Sequence, residues 1–393
     1  MNYTLINNTL TVFPEGRINA TNAEAVEAEL TEISAANTHA EIILNFEKLD
    51  YISSSGLRTV LKLRKSEPTL KITDANPEVY EILDMTGFTE LMQIQKAFRR
   101  FSVEGCPVIG RGAKGTVYRY NRDTVVKVYE DRNALPLIRR ERELARKAFV
   151  LGVPTAISYD VVKVGEKYGS VFELLNAKSF SQIIAENPGE LMKCAWMSAA
   201  LLRMVHQTEV GPGDMPDIRL KIEKWLDISR PYLSWKTQER LEEIITGLED
   251  PCTMIHGDFH TNNIMQQGDE TLLIDMDTLS RGDPLFELAN VRATYVDFAE
   301  VDPANVESFL GFSSELALQF WRFFLPAYLE TEDEELVEEE DRKIKIFSRL
   351  RLMHHLIRRK QGEGEEGRTV LDRCSRELEE LLEREERELG VRS

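Results

Sequence analysis

No apolar run in this chain is long enough to cross a bilayer, which excludes a membrane-spanning helix. Cysteine is scarce. The four residues, at 106, 194, 252 and 374, lie far apart without the paired spacing of a zinc site, as expected of reduced, packed thiols. Basic residues are outnumbered, 49 Lys and Arg against 67 Asp and Glu, and the net charge of −18 repels nucleic acid. That charge suits a cationic substrate, but acidity is also a common device for solubility. The first residues show no basic region leading into an apolar core, so no secretory signal is read and a cytoplasmic protein is expected. The remaining composition is ordinary: 42% hydrophobic and 30% charged residues allow a sizeable core, and 393 residues suggest two or three domains.

The most informative stretch is 255–277. It gathers His256, Asp258, His260 and Asn263 in one polar cluster and Asp275 with Asp277 in another, joined by a Gly268-Asp269 turn signal. Apolar residues at 254–255, 264–265 and 272–274 flank them, implying short buried strands with carboxylates at their ends. Buried carboxylates are costly unless paired or bound to metal. Phosphoryl transfer needs such a grouping: a carboxylate beside the attacking hydroxyl, and oxygen ligands that hold magnesium against the nucleotide phosphates. The protein-kinase signature sets its base Asp and a metal-binding Asn five positions apart, then adds a second metal-binding Asp after a hairpin. Asp258, Asn263 and Asp275 repeat that order, with His256 in the signature's His position. The competing reading is a hairpin whose Asp and Asn residues only cap turns.

Upstream, Gly110, Gly112 and Gly115 lie between strand-like segments, and Val117 completes a kinase-type glycine-rich loop. Such glycines let backbone approach phosphates closely. Lys127 sits in the apolar, β-branched segment 124–129, where a charge needs a reason. Contact with nucleotide phosphates and a Glu on the next helix, about 137–150, supplies one. Glu141 is the first choice, because Leu144, Ala145 and Ala148 follow it on the packed face; Glu143 is the alternative. Strands at 161–164 and 169–175 close the β-rich part, placing backbone at Glu173 and Leu175 to hydrogen-bond a nucleotide base. The pattern is helical from 179 onward. Segment 192–205 reads as buried, His206 as a structural or capping residue, and 218–226 and 237–248 as amphipathic. Segments 320–328 and 344–356 look packed, and the acidic 331–342 reads as a solvated face. Val370, Leu371, Cys374, Leu378, Leu381 and Leu382 line a final helix, docked on the core or, alternatively, at a dimer contact. Asp283, in the Gly282-Asp283-Pro284 turn, is expected to brace the catalytic loop through backbone hydrogen bonds.

Residues 1 to about 95 read as a small α/β unit with strands at 10–13, 41–46 and 70–73. Thr21 with Glu24 makes a capping box, with Ala25, Val26, Leu30 and Ile33 on one helical face. Ser53-Ser54-Ser55-Gly56-Leu57 enters a second helix, and Asn76-Pro77 opens a third that carries Val79, Ile82 and Leu83 and stops before Gly87. With Met85-Thr86-Gly87-Phe88 near the end, this region resembles the STAS domain of anti-sigma factor antagonists. The resemblance implies a regulatory module with a protein partner and a phosphoacceptor at Ser55. The Asp usual before the Ser pair is Ser53 here, and the alternative to a phosphoswitch is Ser54 or Ser55 capping the helix.

From about Gly105 the chain resembles the aminoglycoside phosphotransferase and choline kinase group. The resemblance rests on His256-Gly257-Asp258-Phe259-His260 with Asn263, Leu273-Ile274-Asp275, and Gly282-Asp283-Pro284. It implies ATP and Mg2+ as cofactors, Asp258 as the base, Asn263 and Asp275 as magnesium ligands, and Lys127 on the nucleotide phosphates. Thr261-Asn262 replaces the more usual Pro-Gly, and Asp277 is an extra acid near the metal, supporting it or contacting a cationic substrate. Gly257 stands where protein kinases have Arg, Met276-Asp277 where they have Phe-Gly, and no Ala-Pro-Glu follows. A small hydroxyl-bearing acceptor is therefore favoured over a peptide.

The expected architecture is α+β in two domains: a STAS-like α/β domain over 1–100, then a bilobal protein-kinase-like fold over 101–393. Its β-rich small lobe covers about 101–175 and its helical lobe about 176–393. The expected activity is transfer of the γ-phosphate of ATP to a small-molecule hydroxyl under STAS regulation. One alternative is an atypical Ser/Thr protein kinase acting on a STAS serine, Ser55 in cis or a partner's; another is a nucleotide-binding regulator without catalysis. No nucleic-acid or membrane partner is expected, and the oligomeric state stays open.

Overall fold

The structure, a computed structural model, describes residues 1–112, 114–248 and 251–392, the side chains of 388–392 excepted. The chain forms two units, Met1–Glu104 with Val161–Gly169, and Gly105–Asp160 with Ser170–Ser393.

In the first unit, Thr9–Phe13 and Glu41–Asn45 bury every second residue, which sets one face of a sheet on the core. The strand order is Asn2–Ile6, Thr9–Phe13, Glu41–Asn45, Lys71–Ala75, Ile94–Lys96; the first pair is antiparallel and the rest parallel. Parallel neighbours need crossovers, and the helices Ala23–Ala36, Ser54–Ser66 and Pro77–Met85 lie between the strands in sequence. Two local expectations are corrected. Thr21 caps nothing: its N–H and hydroxyl both donate to Asn19 Oδ1, and the helix starts at Ala23, which is buried where Ala25 is exposed. The cap of Ser54–Ser66 is Ser53, not Ser54 or Ser55, with Gly56 N–H donating to its Oγ at 3.4 Å.

Gly56 is required by packing. A Cβ there would come within 2.7 Å of both Ile18 Cγ2 and Ile52 Cγ1. Gly56→Val is expected to destabilise this unit by about 1–3 kcal/mol, seen as a lower urea midpoint for its unfolding in the full chain.

The second unit opens with antiparallel strands Val108–Arg111, Gly115–Arg119 and Thr124–Tyr129, followed by the helix Leu135–Val150. Its helical part packs Leu191–His206 against Ser314–Leu329, and sets Glu334–Arg358 against Pro284–Arg292, Arg219–Ser229 and Glu365–Arg392. The last helix is docked: Leu371, Cys374 and Leu378 are fully buried, and Arg349 holds Glu377 at 2.7 Å. The acidic stretch is not wholly solvated, because Asp341 accepts from Trp321 Nε1 at 2.8 Å and pairs with Arg292 at 3.0 Å. No helix of the described residues is long and apolar enough to cross a membrane.

Candidate active site

The hairpin Ile264–Gln267/Glu270–Leu273 pairs Ile264 with Leu273. One step beyond, Ile274 N–H donates to the Asn263 carbonyl at 2.9 Å, so Asn263 and Asp275 flank the same end of the hairpin. The loop before it turns at Gly257, whose φ of +83° and contact with the Thr278 carbonyl leave no room for a side chain. Buried His256 joins the two acidic segments. Its Nε2 donates to the Ile274 carbonyl at 3.2 Å and its Nδ1 accepts from Asp258 N–H at 3.4 Å, partners that assign a neutral ring protonated on Nε2.

The loop is clamped by Glu287, 1% exposed on the helix Pro284–Arg292. It accepts from His256 N–H at 2.6 Å and Gly257 N–H at 2.7 Å. His206 lies 3.4 Å from the same carboxylate and 2.7 Å from the Tyr328 hydroxyl, which makes it structural. Burial opposes the Glu287 charge, but the His206 contact and the loop N–H groups hold its carboxyl below the usual range. The bracing expected of Asp283 therefore falls to Glu287. Asp283 instead accepts from Leu285 N–H at 2.8 Å and caps the helix that carries Glu287. The available sequence signal was an acid between Phe286 and Leu288, both buried.

Asp258 points outward, its side chain 48% exposed, with His260 Nε2 at 3.5 Å. Desolvation works against its charge, yet the His260 contact and nearby positive charge, Lys221 included, hold it well below the usual carboxylate range. Asn263 Nδ2 donates to the Asp258 carbonyl at 3.0 Å. Thr261 and Asn262 anchor the loop: Thr261 N–H donates to the Tyr295 hydroxyl at 2.9 Å, and Asn262 Nδ2 to the Phe309 carbonyl at 2.6 Å.

Lys127 Nζ lies 3.0 Å from Glu141 Oε1 and 3.0 Å from Asp275 Oδ1. Tyr129 donates to the other Glu141 oxygen at 2.7 Å, whereas Glu143 is exposed and reaches Lys147 at 3.5 Å. Burial opposes the Lys127 charge, but Glu141 and Asp275 hold the ammonium well above the usual lysine range. Asp275 itself takes a left-handed backbone, φ +63°, of the kind that collects at functional sites. Asp277 pairs with Lys114 of the glycine-rich turn. In that turn Gly112 N–H donates to the Gly115 carbonyl at 2.9 Å, and a side chain at Gly115 would strike Val128 backbone; Gly110 rests against Val117. Glu173 and Leu175 stand at the end of the strand Lys167–Glu173, where Leu174 N–H donates to the Asp123 carbonyl at 2.9 Å. Ser55, in the other unit, accepts from Arg58 at 3.1 Å in the first turn of its helix.

The donor set suits magnesium. The Asp275 carboxylate and the Asn263 amide oxygen are hard ligands, and no described residue donates to that amide oxygen. Among the described residues no cluster of three or more His, Cys, Asp or Glu could hold a metal, so an ion at Asn263 and Asp275 would take its other ligands from phosphates and water.

Two nearby cations escaped the sequence reading. Lys221, on Arg219–Ser229, donates to the Gly257 carbonyl at 2.7 Å, and Arg351, on Glu334–Arg358, donates from Nε to Asn290 Oδ1 at 3.1 Å. Both approach one ring: Lys221 Nζ is 5.9 Å and Arg351 Cζ 5.3 Å from the Trp225 centroid. The signal was only a basic residue on each helix, and helices carry many. Arg351 also approaches His354 Nδ1 at 3.3 Å, so that nitrogen accepts and the ring is neutral. Burial, then the Arg351 charge, push His354 and His355 down to about 4. Because these values are depressed in the folded state, the neutral rings contribute fully above about pH 6.5 and lose that contribution as pH falls toward 4. The expected slope is at most about 1.4 kcal/mol per pH unit for each ring. Urea unfolding at pH 7.5 and pH 5 measures it, and His354→Gln should flatten it.

Residues 106–332 match the phosphotransferase enzyme family (APH) and residues 1–100 the STAS domain. A protein of Bordetella bronchiseptica named as an anti-sigma factor antagonist, BtrV, is 34% identical over 84 residues, covering 20% of this chain and 72% of that protein. Among solved structures, ADP-bound aminoglycoside phosphotransferase APH(2″)-Ib is 16% identical at a TM-score of 0.46, over 77% of this chain and 98% of that one. A thermostable mutant of APH(4)-Ia gives 14%, 0.47, 70% and 94%. A choline/ethanolamine kinase family protein from Mesorhizobium loti gives 15%, 0.43, 71% and 88%. These structural likenesses are loose. By its family matches, the chain belongs to the APH phosphotransferase enzyme family and carries a STAS domain in residues 1–100.

Proposed function

We propose that this cytoplasmic protein transfers the γ-phosphoryl group of ATP, with magnesium, to a hydroxyl of a small molecule, and that its STAS domain regulates the transfer. The observation that carries the reading is the chain Glu141–Lys127–Asp275, linked through Ile274 and His256 to the Asp258 loop. Lys127 and the turn of Gly110, Gly112 and Gly115 would hold the nucleotide phosphates, with backbone at Glu173 and Leu175 on the base. Asn263 and Asp275 would hold magnesium, which supplies neutralisation of phosphate charge. Asp258 orients the acceptor hydroxyl and takes its proton as the oxygen bonds to the γ-phosphorus; the bond to the bridging oxygen breaks and ADP leaves with that electron pair. Lys127→Met is expected to lower kcat/KM for ATP by about 10²-fold, measured by coupled ADP release. The test of the reading is magnesium-dependent ADP release over neutral, cationic and anionic alcohols; no stimulation by any class overturns it.

One observation favours a second reading, a kinase for a STAS serine. Ser55 lies in the first turn of Ser54–Ser66 beside Arg58, where a phosphate would be stabilised. Intact-mass analysis after incubation with ATP separates the two: added phosphate at Ser55 supports the second reading, and an unmodified chain during turnover weighs against it.

A further inference from the structure

Where a buried cation is structural in this fold, it is paired. Arg292 holds Asp297 and Asp341, and Arg349, two residues before Arg351, holds Asp297, Glu300 and Glu377. Lys221 and Arg351 differ. Both are partly buried, and among the described residues neither has a carboxylate oxygen within 4.0 Å, in a chain with 67 acidic residues. Carboxylates that act on Lys221 from farther away are committed elsewhere: Glu287 to the loop N–H groups and Asp277 to Lys114. The remaining one is Asp258, which also acts on Arg351 and which transfer would neutralise. Donors are unspent as well. An ammonium has three and a guanidinium five, whereas Lys221 uses one on Gly257, and Arg351 uses Nε on Asn290 and one terminal nitrogen on His354. Arg358 and Arg359, exposed at the end of the same helix, add positive charge, and neutral His354 and His355 supply no compensation.

From this arrangement we infer that the acceptor is an anionic alcohol whose phosphate or carboxylate is bound by Lys221 and Arg351, both close to Trp225 and to the Asp258 loop. The inference rests on the phosphotransfer reading for the position of the hydroxyl. Phosphate and carboxylate share the required chemistry, acceptor oxygens matched to an Arg fork and a Lys point charge. A cationic acceptor would meet two like charges at close range. The overall charge of the chain, which suits a cationic substrate, does not extend to Lys221 and Arg351, which have no carboxylate oxygen within 4.0 Å among the described residues.

The test is calorimetric titration of the full chain, saturated with Mg·ADP, using glycerol 3-phosphate, glycerate, glycerol and choline as probes. At least one of the two anions should bind tenfold or more tighter than glycerol, with choline undetected. Glycerol 3-phosphate against glycerate decides between phosphate and carboxylate. Lys221→Met and Arg351→Met should each weaken the anion tenfold or more, and Arg351→Lys should restore part of the loss. Mg·ADP binding in the same titrations reports that each variant is folded. Choline binding as tightly as the anions, anions binding no better than glycerol, or anion binding unchanged in both Met variants overturns the inference. The two proposals fail distinguishably. Arg351-dependent anion binding without ADP release from any acceptor sinks phosphotransfer and leaves an anion site at Lys221 and Arg351 without its role as an acceptor site. ADP release stimulated only by cationic alcohols sinks the anionic acceptor alone.

Discussion

Asp258→Asn is expected to lower acceptor-dependent ADP release by about 10²–10⁴-fold, the range for loss of a general base. The substitution keeps the shape of the side chain and removes only the carboxylate proposed to take the hydroxyl proton. Backbone contacts of the loop do not involve the carboxylate: His256 and Gly257 N–H groups go to Glu287, and the Asp258 carbonyl to Asn263. Nucleotide affinity should therefore stay near its wild-type value, while the urea midpoint should fall, because the folded state favours the Asp258 charge through His260 and Lys221. The acceptor KM should not rise, because the lost negative charge is one that competes with an anionic acceptor for Lys221 and Arg351. Wild-type turnover in this variant would take the base away from Asp258.

Glu287→Ala is expected to cost about 3–5 kcal/mol of stability, the range for breaking a buried ionic cluster from one side. Two loop N–H groups and the His206 ring lose their shared acceptor inside a fully buried site. Surviving protein should also be slow, by about 10²-fold, since a shift of roughly 1 Å in a positioned group costs that much. Urea unfolding and turnover, measured together, check both effects. An unchanged midpoint would show that the brace lies elsewhere.

Both family resemblances and the α+β architecture were legible in the sequence, because each rests on local patterns. Alternating burial in Thr9–Phe13 and Glu41–Asn45 is visible in linear order, and so is the crowding of carboxylates over 255–277. Asn263 and Asp275 belong to one hairpin, so their proximity follows from a single turn. Long-range placement was not legible. Glu287, Lys221 and Arg351 come from three helices, and only their packing brings them to the Asp258 loop. Caps were misread for a different reason. Ser53, Ser54 and Ser55 have the same chemistry, and only backbone geometry decides which of them accepts from Gly56.

The most direct measurement follows the phosphate itself. Full-length protein is incubated with γ-labelled ATP, magnesium and a mixture of anionic, neutral and cationic alcohols, and the label is then separated into protein and small-molecule fractions. The account predicts label in a small molecule, dependent on magnesium and absent with Asp258→Asn. Label confined to the protein at Ser55, or remaining in ATP throughout, would contradict it.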